Sequence, residues 1–229
     1  GIAGALMGAR YGRKALVAGA ALGTLPDLDV LIRYSDPLTG MISHRGFSHS
    51  LFVLTGVSLL LTWLAKRFRL HKDGQGYGRL LLTIWLILFT HPLLDAFTSY
   101  GTQLWWPLRP TPASWSSIFI IDPFYTLPLL LGVIVAFFAG PRGRVSKSLG
   151  VLLLIGAGYL GASLWAKDWA EQRVHAWLKE QGRPPVAMFS VPQPFNIVLW
   201  RVVARMEDGN YIEAVTGMLD AREPEFVEF

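Results

Sequence analysis

The most ligand-like spacing in the sequence lies in Thr90-His91-Pro92-Leu93-Leu94-Asp95. His91 and Asp95 are four residues apart and therefore share one face of a helix. Pro92 either starts this helix or kinks it, and both outcomes favour a helix end. An ionisable pair at the edge of an apolar run is costly in a membrane, so it is expected to face a partner or a polar cavity. The alternative is a structural His/Asp pair.

Two aspartates precede this pair in Leu25-Pro26-Asp27-Leu28-Asp29. Pro26 favours an extended backbone, in which Asp27 and Asp29 point to the same side. Two adjacent carboxylates need a cation or a shared proton. The alternative is that an aspartate caps the helix that follows.

A third polar segment runs from His44 to Ser50, with the sequence HRGFSHS. Ser48 is predicted to cap a helix that begins at His49. The glycine between the two histidines allows the loop to fold His44 back toward His49. Arg45 is suited to binding a phosphate or carboxylate oxygen. The alternative is that the two histidines only cap a helix or form hydrogen bonds near its end.

Together these segments offer nitrogen and oxygen ligands for metal ions. Asp122, directly before Pro123, is either a further ligand or a helix start. The chain has no cysteine, so a metal must be held by histidines and carboxylates, as suits Zn²⁺ first and Mn²⁺ second. The candidates exceed one tetrahedral site, which allows one or two ions. They are Asp27, Asp29, His44, His49, His91, Asp95 and Asp122.

The chemistry that such a site would support is hydrolysis. A divalent ion activates a water molecule, orients an ester and neutralises the charge that develops in the displacement. Asp27 or Asp29 would orient the water as a base, and Arg45 would bind the developing negative charge.

The elements that must position these residues are apolar helices. The chain of 229 residues is 52% hydrophobic and 16% charged, with a mean hydropathy of +0.38, which is typical of membrane proteins. Membrane helices are predicted at residues 51–65, 124–140 and 149–166, and an interrupted run covers residues 80–94. With the Gly- and Ala-rich opening, which suits close helix packing, we expect about four to six membrane-embedded helices. The same spacing would suit a soluble all-α protein.

Two basic loops predict how the chain crosses the membrane. Residues 66–79 and 142–147 are rich in Lys and Arg, and such short loops face the cytoplasm. The His/Asp segments would then lie together at the outer face. The net charge of +5 does not form a long basic stripe with interleaved aromatic residues, which disfavours nucleic-acid binding.

The C-terminal quarter changes character. Residues 1–166 are predicted to form the membrane-embedded helical domain, and residues 167–229 an extramembrane appendage. The appendage is expected to contain an exposed amphipathic helix over residues 167–181. A β-hairpin is predicted around the turn Asp208-Gly209-Asn210.

Long stretches of the chain resemble the YdjM-like family of membrane-bound metal-dependent hydrolases, one of whose members is described as LexA-regulated. The matching stretches are GTLPDLDV at 23–30, HRGFSHS at 44–50, HPLLDAFTSYGTQLWWP at 91–107, IDPFYTLP at 121–128 and PFNIVLWRVVAR at 194–205. This resemblance implies a multi-pass protein of the bacterial inner membrane. Many members carry a Thr-His or Thr-Gln element before the first helix, so the resemblance leaves open whether a further ligand lies upstream of Gly1.

The family is distantly similar to zinc-dependent phospholipase C, whose His-x-x-x-Asp ligand pair matches His91 and Asp95. The resemblance and the residues together predict hydrolysis of a phosphoester or related ester in a membrane lipid or lipid-linked substrate. The alternative function is a non-catalytic metal-binding scaffold or transporter. A transporter should carry polar residues across the membrane, which residues 51–65 and 149–166 lack apart from Thr, Ser, Gly, Tyr and Trp.

Overall fold

The structure is a computed structural model that describes residues 1–32, 45–70, 76–108, 110–220 and 223–229. It is mainly helical, with an antiparallel sheet near the C-terminus. Two short 3-10 helices, Pro26–Leu31 and Phe47–His49, precede α3 in the sequence. The other elements are α1 (Ile2–Tyr11), α2 (Arg13–Gly23), α3 (Leu51–Arg67), α4 (Tyr77–Ala96), α5 (Pro123–Ala139), α6 (Arg144–Glu180), β1 (Ala187–Pro192), β2 (Leu199–Arg205), β3 (Tyr211–Gly217) and β4 (Glu225–Glu228).

The chain divides into two compact units, which are described separately. Unit 1 comprises Gly1–Ala96, Gly101–Ser114 and Pro128–Ile155. Unit 2 comprises Phe97–Tyr100, Trp115–Leu127 and Gly156–Phe229. The domain boundary predicted between residues 166 and 167 falls within α6 and stays a prediction.

Small residues let the opening helices of unit 1 pack closely, as their composition predicts. A β-carbon on Gly4 would stand 2.6 Å from side-chain atoms of Leu16 and Leu149. A β-carbon on Gly8 would stand 2.4 Å from the carbonyl oxygen of Pro141. Both distances are shorter than van der Waals contact, so a larger residue at Gly4 would force helices apart, and one at Gly8 would displace the loop that contains Pro141.

Helices α3 and α4 pack against each other and form the frame of the candidate site. Leu54 of α3 is buried with Ile84 and Leu88 of α4. Trp85 donates a hydrogen bond from Nε1 to Thr55 Oγ1 at 3.0 Å. This packing holds the last turn and a half of α4, which carries the His91/Asp95 pair.

Fewer helices are long enough to span a membrane than the sequence suggests. In the described part of the chain only α4 and α6 are long and apolar enough, so the prediction of four to six membrane-embedded helices is wrong there. Helices α3 and α5 have 17 residues each. That length is about 25 Å at 1.5 Å per residue, short of the roughly 30 Å hydrocarbon core.

Helix α5 nevertheless exposes most of its apolar side chains, and only Ala136 is buried. The exposed residues include Leu130, Leu131, Ile134 and Phe138. A broad exposed apolar surface is uncommon on a soluble protein and is typical of a helix that contacts lipid. The soluble all-α alternative is therefore disfavoured.

Unit 2 contains a four-stranded antiparallel sheet in the order β1-β2-β3-β4. The predicted hairpin is confirmed as β2 and β3, with Gly209 in the left-handed conformation at the turn. The hairpin prediction was incomplete, because β1 and β4 flank it. The sequence signal for β1 was masked by prolines at 184, 185 and 192, and that for β4 by alternating glutamates.

The amphipathic helix predicted at residues 167–181 is the last part of α6 and does not stand alone. Its apolar residues recur every four positions, which puts them on one helix face. That face is buried against the sheet, where Trp200 is fully enclosed, so the expectation of an exposed helix is corrected. The buried residues of this helix face are Ala166, Ala170, Val174 and Leu178.

Candidate metal centre

Four side chains from three separate segments of unit 1 converge at one point. Asp27 comes from the first 3-10 helix, His49 from the second, and His91 and Asp95 from the last turn and a half of α4. One potential ligand atom of each lies within 4.8 Å of the others. The four residues could therefore bind a metal ion.

The four histidine–carboxylate separations within this quartet are close to those between ligands of one metal ion. His49 Nε2 lies 3.4 Å from Asp27 Oδ1 and 3.3 Å from Asp95 Oδ2. His91 Nε2 lies 3.2 Å from the same Asp27 oxygen and 3.5 Å from the same Asp95 oxygen. Ligands at about 2.0 to 2.2 Å from a tetrahedral ion are about 3.3 to 3.6 Å apart. The donor set, two imidazoles and two carboxylates, also suits Zn²⁺.

Hydrogen bonding alone explains the arrangement less well. Most N–H···O bonds have a donor–acceptor distance of about 2.9 to 3.0 Å, shorter than the four distances here. Each Nε2 atom also faces two carboxylate oxygens, whereas a neutral imidazole carries a single N–H. A shared cation satisfies all four atoms at once.

A hydrogen-bonded relay orients His49, whose side chain is fully buried. Its Nδ1 lies 2.9 Å from Ser48 Oγ, and the Ser48 hydroxyl donates to Asp29 Oδ2 at 2.6 Å. Because the Ser48 hydroxyl donates its only proton to Asp29, its oxygen accepts a hydrogen bond from His49 Nδ1–H. This tautomer leaves the lone pair on Nε2, the atom that faces the quartet, as in other metal sites where a second group holds the ligating histidine.

Arg45 fixes the other side of the site. Its guanidinium lies 3.2 Å from Asp95 Oδ1, so the second oxygen of Asp95 is directed at the histidines. Its backbone N–H donates to Asp29 Oδ2 at 3.2 Å, and its φ of 60° lies in the left-handed region that side chains rarely adopt. Strained backbone of this kind often accompanies functional sites.

The structure gives Asp29 a different position from the one expected. The Pro26–Leu31 segment is a 3-10 helix and not an extended strand, so Asp27 and Asp29 do not point the same way. Asp27 faces the quartet, and Asp29 is buried behind His49 with its Oδ2 bonded to Ser48. Its observed contacts are those of a supporting residue.

The helix start is also displaced from the prediction. Ser50 caps α3 by accepting a hydrogen bond from the backbone N–H of Val53 at 3.4 Å, and the helix begins at Leu51. Ser48 was the predicted cap, but its hydroxyl is used on Asp29 and His49. A serine directly before a candidate ligand is the one signal in the sequence for this supporting role.

Asp122, the seventh candidate ligand, is a helix cap. Its Oδ1 accepts from the backbone N–H groups of Phe124 and Tyr125 at 2.9 and 3.2 Å, and its Oδ2 accepts from Tyr159 at 2.8 Å. Both oxygens are thus in use within unit 2, which supports the helix-start alternative. His44 lies outside the described residues, so its candidate role stays a prediction.

Apolar helices with a His/Asp quartet at one end define a helical membrane protein with a candidate metal centre. The chain matches the model of the YdjM inner membrane protein family over residues 1–170 and belongs to that family, which confirms the resemblance seen in the sequence.

Two curated relatives are similar to the chain. The uncharacterized protein YfhP of Bacillus subtilis (strain 168) is 22% identical over 86% of this chain and 57% of its own length. The inner membrane protein YbcI of Escherichia coli (strain K12) is 36% identical over 41% of this chain and 52% of its own length. The chain therefore spans little more than half of each relative. No solved structure matches it.

The Ser48 relay leads to a prediction about metal affinity. Ser48→Ala is expected to weaken metal binding roughly 10- to 100-fold without abolishing it, because the supporting group is lost and all four ligands remain. Competition with a chromogenic chelator would measure the affinity. Ser148→Ala, at an exposed position of α6, is the matched control and should change nothing. Unchanged affinity in Ser48→Ala would show that the relay does not tune the site.

Proposed function

We propose that the chain is a metal-dependent hydrolase of the inner membrane, which cleaves a phosphoester or related ester in a lipid or lipid-linked substrate. The observation that carries this proposal is the quartet of potential ligand atoms, which lie within 4.8 Å of one another and include one exposed side chain. The side chain of Asp27 is 51% exposed, whereas those of His91 and Asp95 are 20% and 17% exposed. Substrate would therefore approach from the Asp27 side.

The chemistry divides among the residues of the site. A divalent ion held by the quartet would activate water and polarise the ester oxygen. Asp27 is the carboxylate best placed to accept a proton, because it faces solvent while Asp29 is bonded to Ser48. Arg45 lies beside Asp95 and would bind an oxygen of the substrate as negative charge develops.

A metal-stabilised scaffold without activity is the second candidate. Four protein ligands complete a tetrahedral shell, as in structural zinc sites, whereas catalytic zinc keeps a position for water. The exposure of Asp27 favours the hydrolase, because a half-exposed carboxylate can yield its place to water or share the shell with it.

Removal and return of the metal test this function. Protein stripped with a chelator is expected to lose hydrolysis of a chromogenic phosphodiester in mixed micelles and to regain it on titration with Zn²⁺, or with Mn²⁺. The unfolding temperature, measured on the same samples, reports binding separately. If added metal raises the unfolding temperature but neither phosphoesters nor carboxyl esters are hydrolysed, the protein is a metal-stabilised scaffold.

The proposed substrate class needs the site to face the outer side of the membrane, as the basic loops predict. Since the chain lacks cysteine, single cysteines can be placed at Gly76, between α3 and α4, and at Glu207, between β2 and β3. An impermeant thiol reagent on intact cells is expected to label Glu207→Cys and to spare Gly76→Cys. The reverse pattern would place the site in the cytoplasm.

A further inference from the structure

An apolar cleft lies within unit 1 among α1, α2, α4 and the end of α3. It has a volume of about 260 Å³. Its walls include Ala18 and Leu22 of α2 and Ile87 of α4. From Lys14 to Leu22 the lining follows about 12 Å of the α2 axis. A space of this kind suits a hydrocarbon chain.

A second space, the cationic cavity, lies where the α1–α2 turn meets the loop between α5 and α6. Its volume is about 420 Å³, and its lining includes Arg10, Arg13 and Arg142. Arg142 reaches the turn, because its guanidinium lies 3.5 Å from where a β-carbon of Gly12 would stand. The cavity therefore gathers positive charge from two parts of the sequence.

The two spaces adjoin, because Tyr11 and Lys14 line both of them. The Arg13 guanidinium ties α2 to the end of α5, because it donates hydrogen bonds to the carbonyl oxygens of Phe137 and Phe138. Within the described part of the chain, the side chains of Arg10, Lys14 and Arg142 form no hydrogen bond or ion pair, which leaves them for a ligand. Residues 1–26 and 137–167 contain no Asp or Glu, so nothing in these stretches neutralises the cavity.

We propose that the cleft and the cationic cavity together bind one anionic phospholipid, with its phosphate among the cationic side chains and an acyl chain in the cleft. The charge of the cavity selects the headgroup, because basic pockets between membrane helices attract anionic lipids. The apolar wall selects a lipid over a soluble phosphate. The cationic cavity lies at the end of α2 opposite the turn that carries Asp27, so the proposed phosphate site is separate from the metal centre.

Native mass spectrometry of the purified full chain in detergent tests this site. The probes are phosphatidylglycerol and phosphatidylcholine with the same acyl chains, and inorganic phosphate. Wild-type protein is expected to retain phosphatidylglycerol preferentially. Lys14→Gln combined with Arg142→Gln should lower that preference roughly tenfold or more. The matched control combines Arg144→Gln with Lys147→Gln, which removes the same charge from exposed positions outside the cavity.

The acyl chain is tested separately by filling the cleft. Ala18→Trp should reduce retention of both lipids, whereas Ala20→Trp, on an exposed part of α2 outside the cleft, should not. The unfolding temperature of each variant shows whether it is folded. Equal retention of both lipids by wild type, or equal losses in the two charge variants, would overturn the proposal. Release of lipid by inorganic phosphate, with no effect of Ala18→Trp, would overturn it in favour of a soluble anion.

Discussion

His91→Ala and Asp95→Asn are each expected to abolish stoichiometric metal binding and to reduce turnover to background. The two side chains belong to the same quartet, and His91 Nε2 and Asp95 Oδ2 lie 3.5 Å apart. Ligands of one ion act as a unit, so either loss removes most of the binding energy. The loss of metal affinity should exceed the roughly 10- to 100-fold loss expected on replacing a supporting residue such as Ser48. Metal per chain, measured by elemental analysis, and phosphodiester hydrolysis provide the two measurements.

Matched controls separate this effect from general damage. His175→Ala and Asp168→Asn change the same residue types at exposed positions of α6 and should leave metal content unaltered. Asp27→Asn alters the most exposed ligand and tests the site with the least disturbance of the interior. Full metal content in folded His91→Ala and Asp95→Asn would end the hydrolase proposal. The pair would then be a hydrogen-bonded helix end in a membrane scaffold.

Arg45→Ala is expected to raise the activation free energy by about 2 to 4 kcal/mol, which lowers turnover roughly a hundredfold, while metal stays bound. The reason is that the ion is held by other residues, whereas the charge developing on the substrate loses its nearest guanidinium. Steady-state kinetics beside metal analysis measures the separation. The drop should appear in kcat more than in KM, since the interaction strengthens in the transition state.

Two further variants test whether the effect of Arg45→Ala comes from the charge and position of its guanidinium. Arg45→Lys keeps the positive charge but not the planar fork, so it should restore part of the activity. Arg67→Ala, at the other end of α3, makes the same change away from the site and should be silent. If Arg45→Ala instead loses metal in proportion to activity, Arg45 acts only by holding Asp95 in place.

Local geometry explains which features the sequence predicts well. His91 and Asp95 meet because residues four apart share a helix face, whatever the helix packs against. The hairpin at Gly209 follows from turn chemistry within a few residues. Helices at residues 51–65, 124–140 and 149–166 follow from long apolar runs, and each corresponds to an observed helix.

Features that depend on distance between elements were predicted less well. Asp27 and His91 are 64 residues apart in the chain, and only the packing of their segments brings them to 3.2 Å. Ser48 and Asp29 both support His49 and do not act as a helix cap and a ligand, since the preference of a serine for capping does not reveal which nearby acceptor its hydroxyl will meet. Asp122 has the residue type of a ligand, but the backbone and Tyr159 use both its oxygens.

The amino-acid sequence by itself determined the family, the donor types available for a metal, the absence of thiolate ligands and the apolar helices that carry them. The tertiary structure alone decided which four donors form the quartet and which polar residues support them. It also decided how few helices in the described residues are long enough to span a membrane. The physical reason is that periodicity sets the direction of a side chain on its own element. The separation between elements is set by packing, such as the close contact of Gly4 with Leu16 and Leu149.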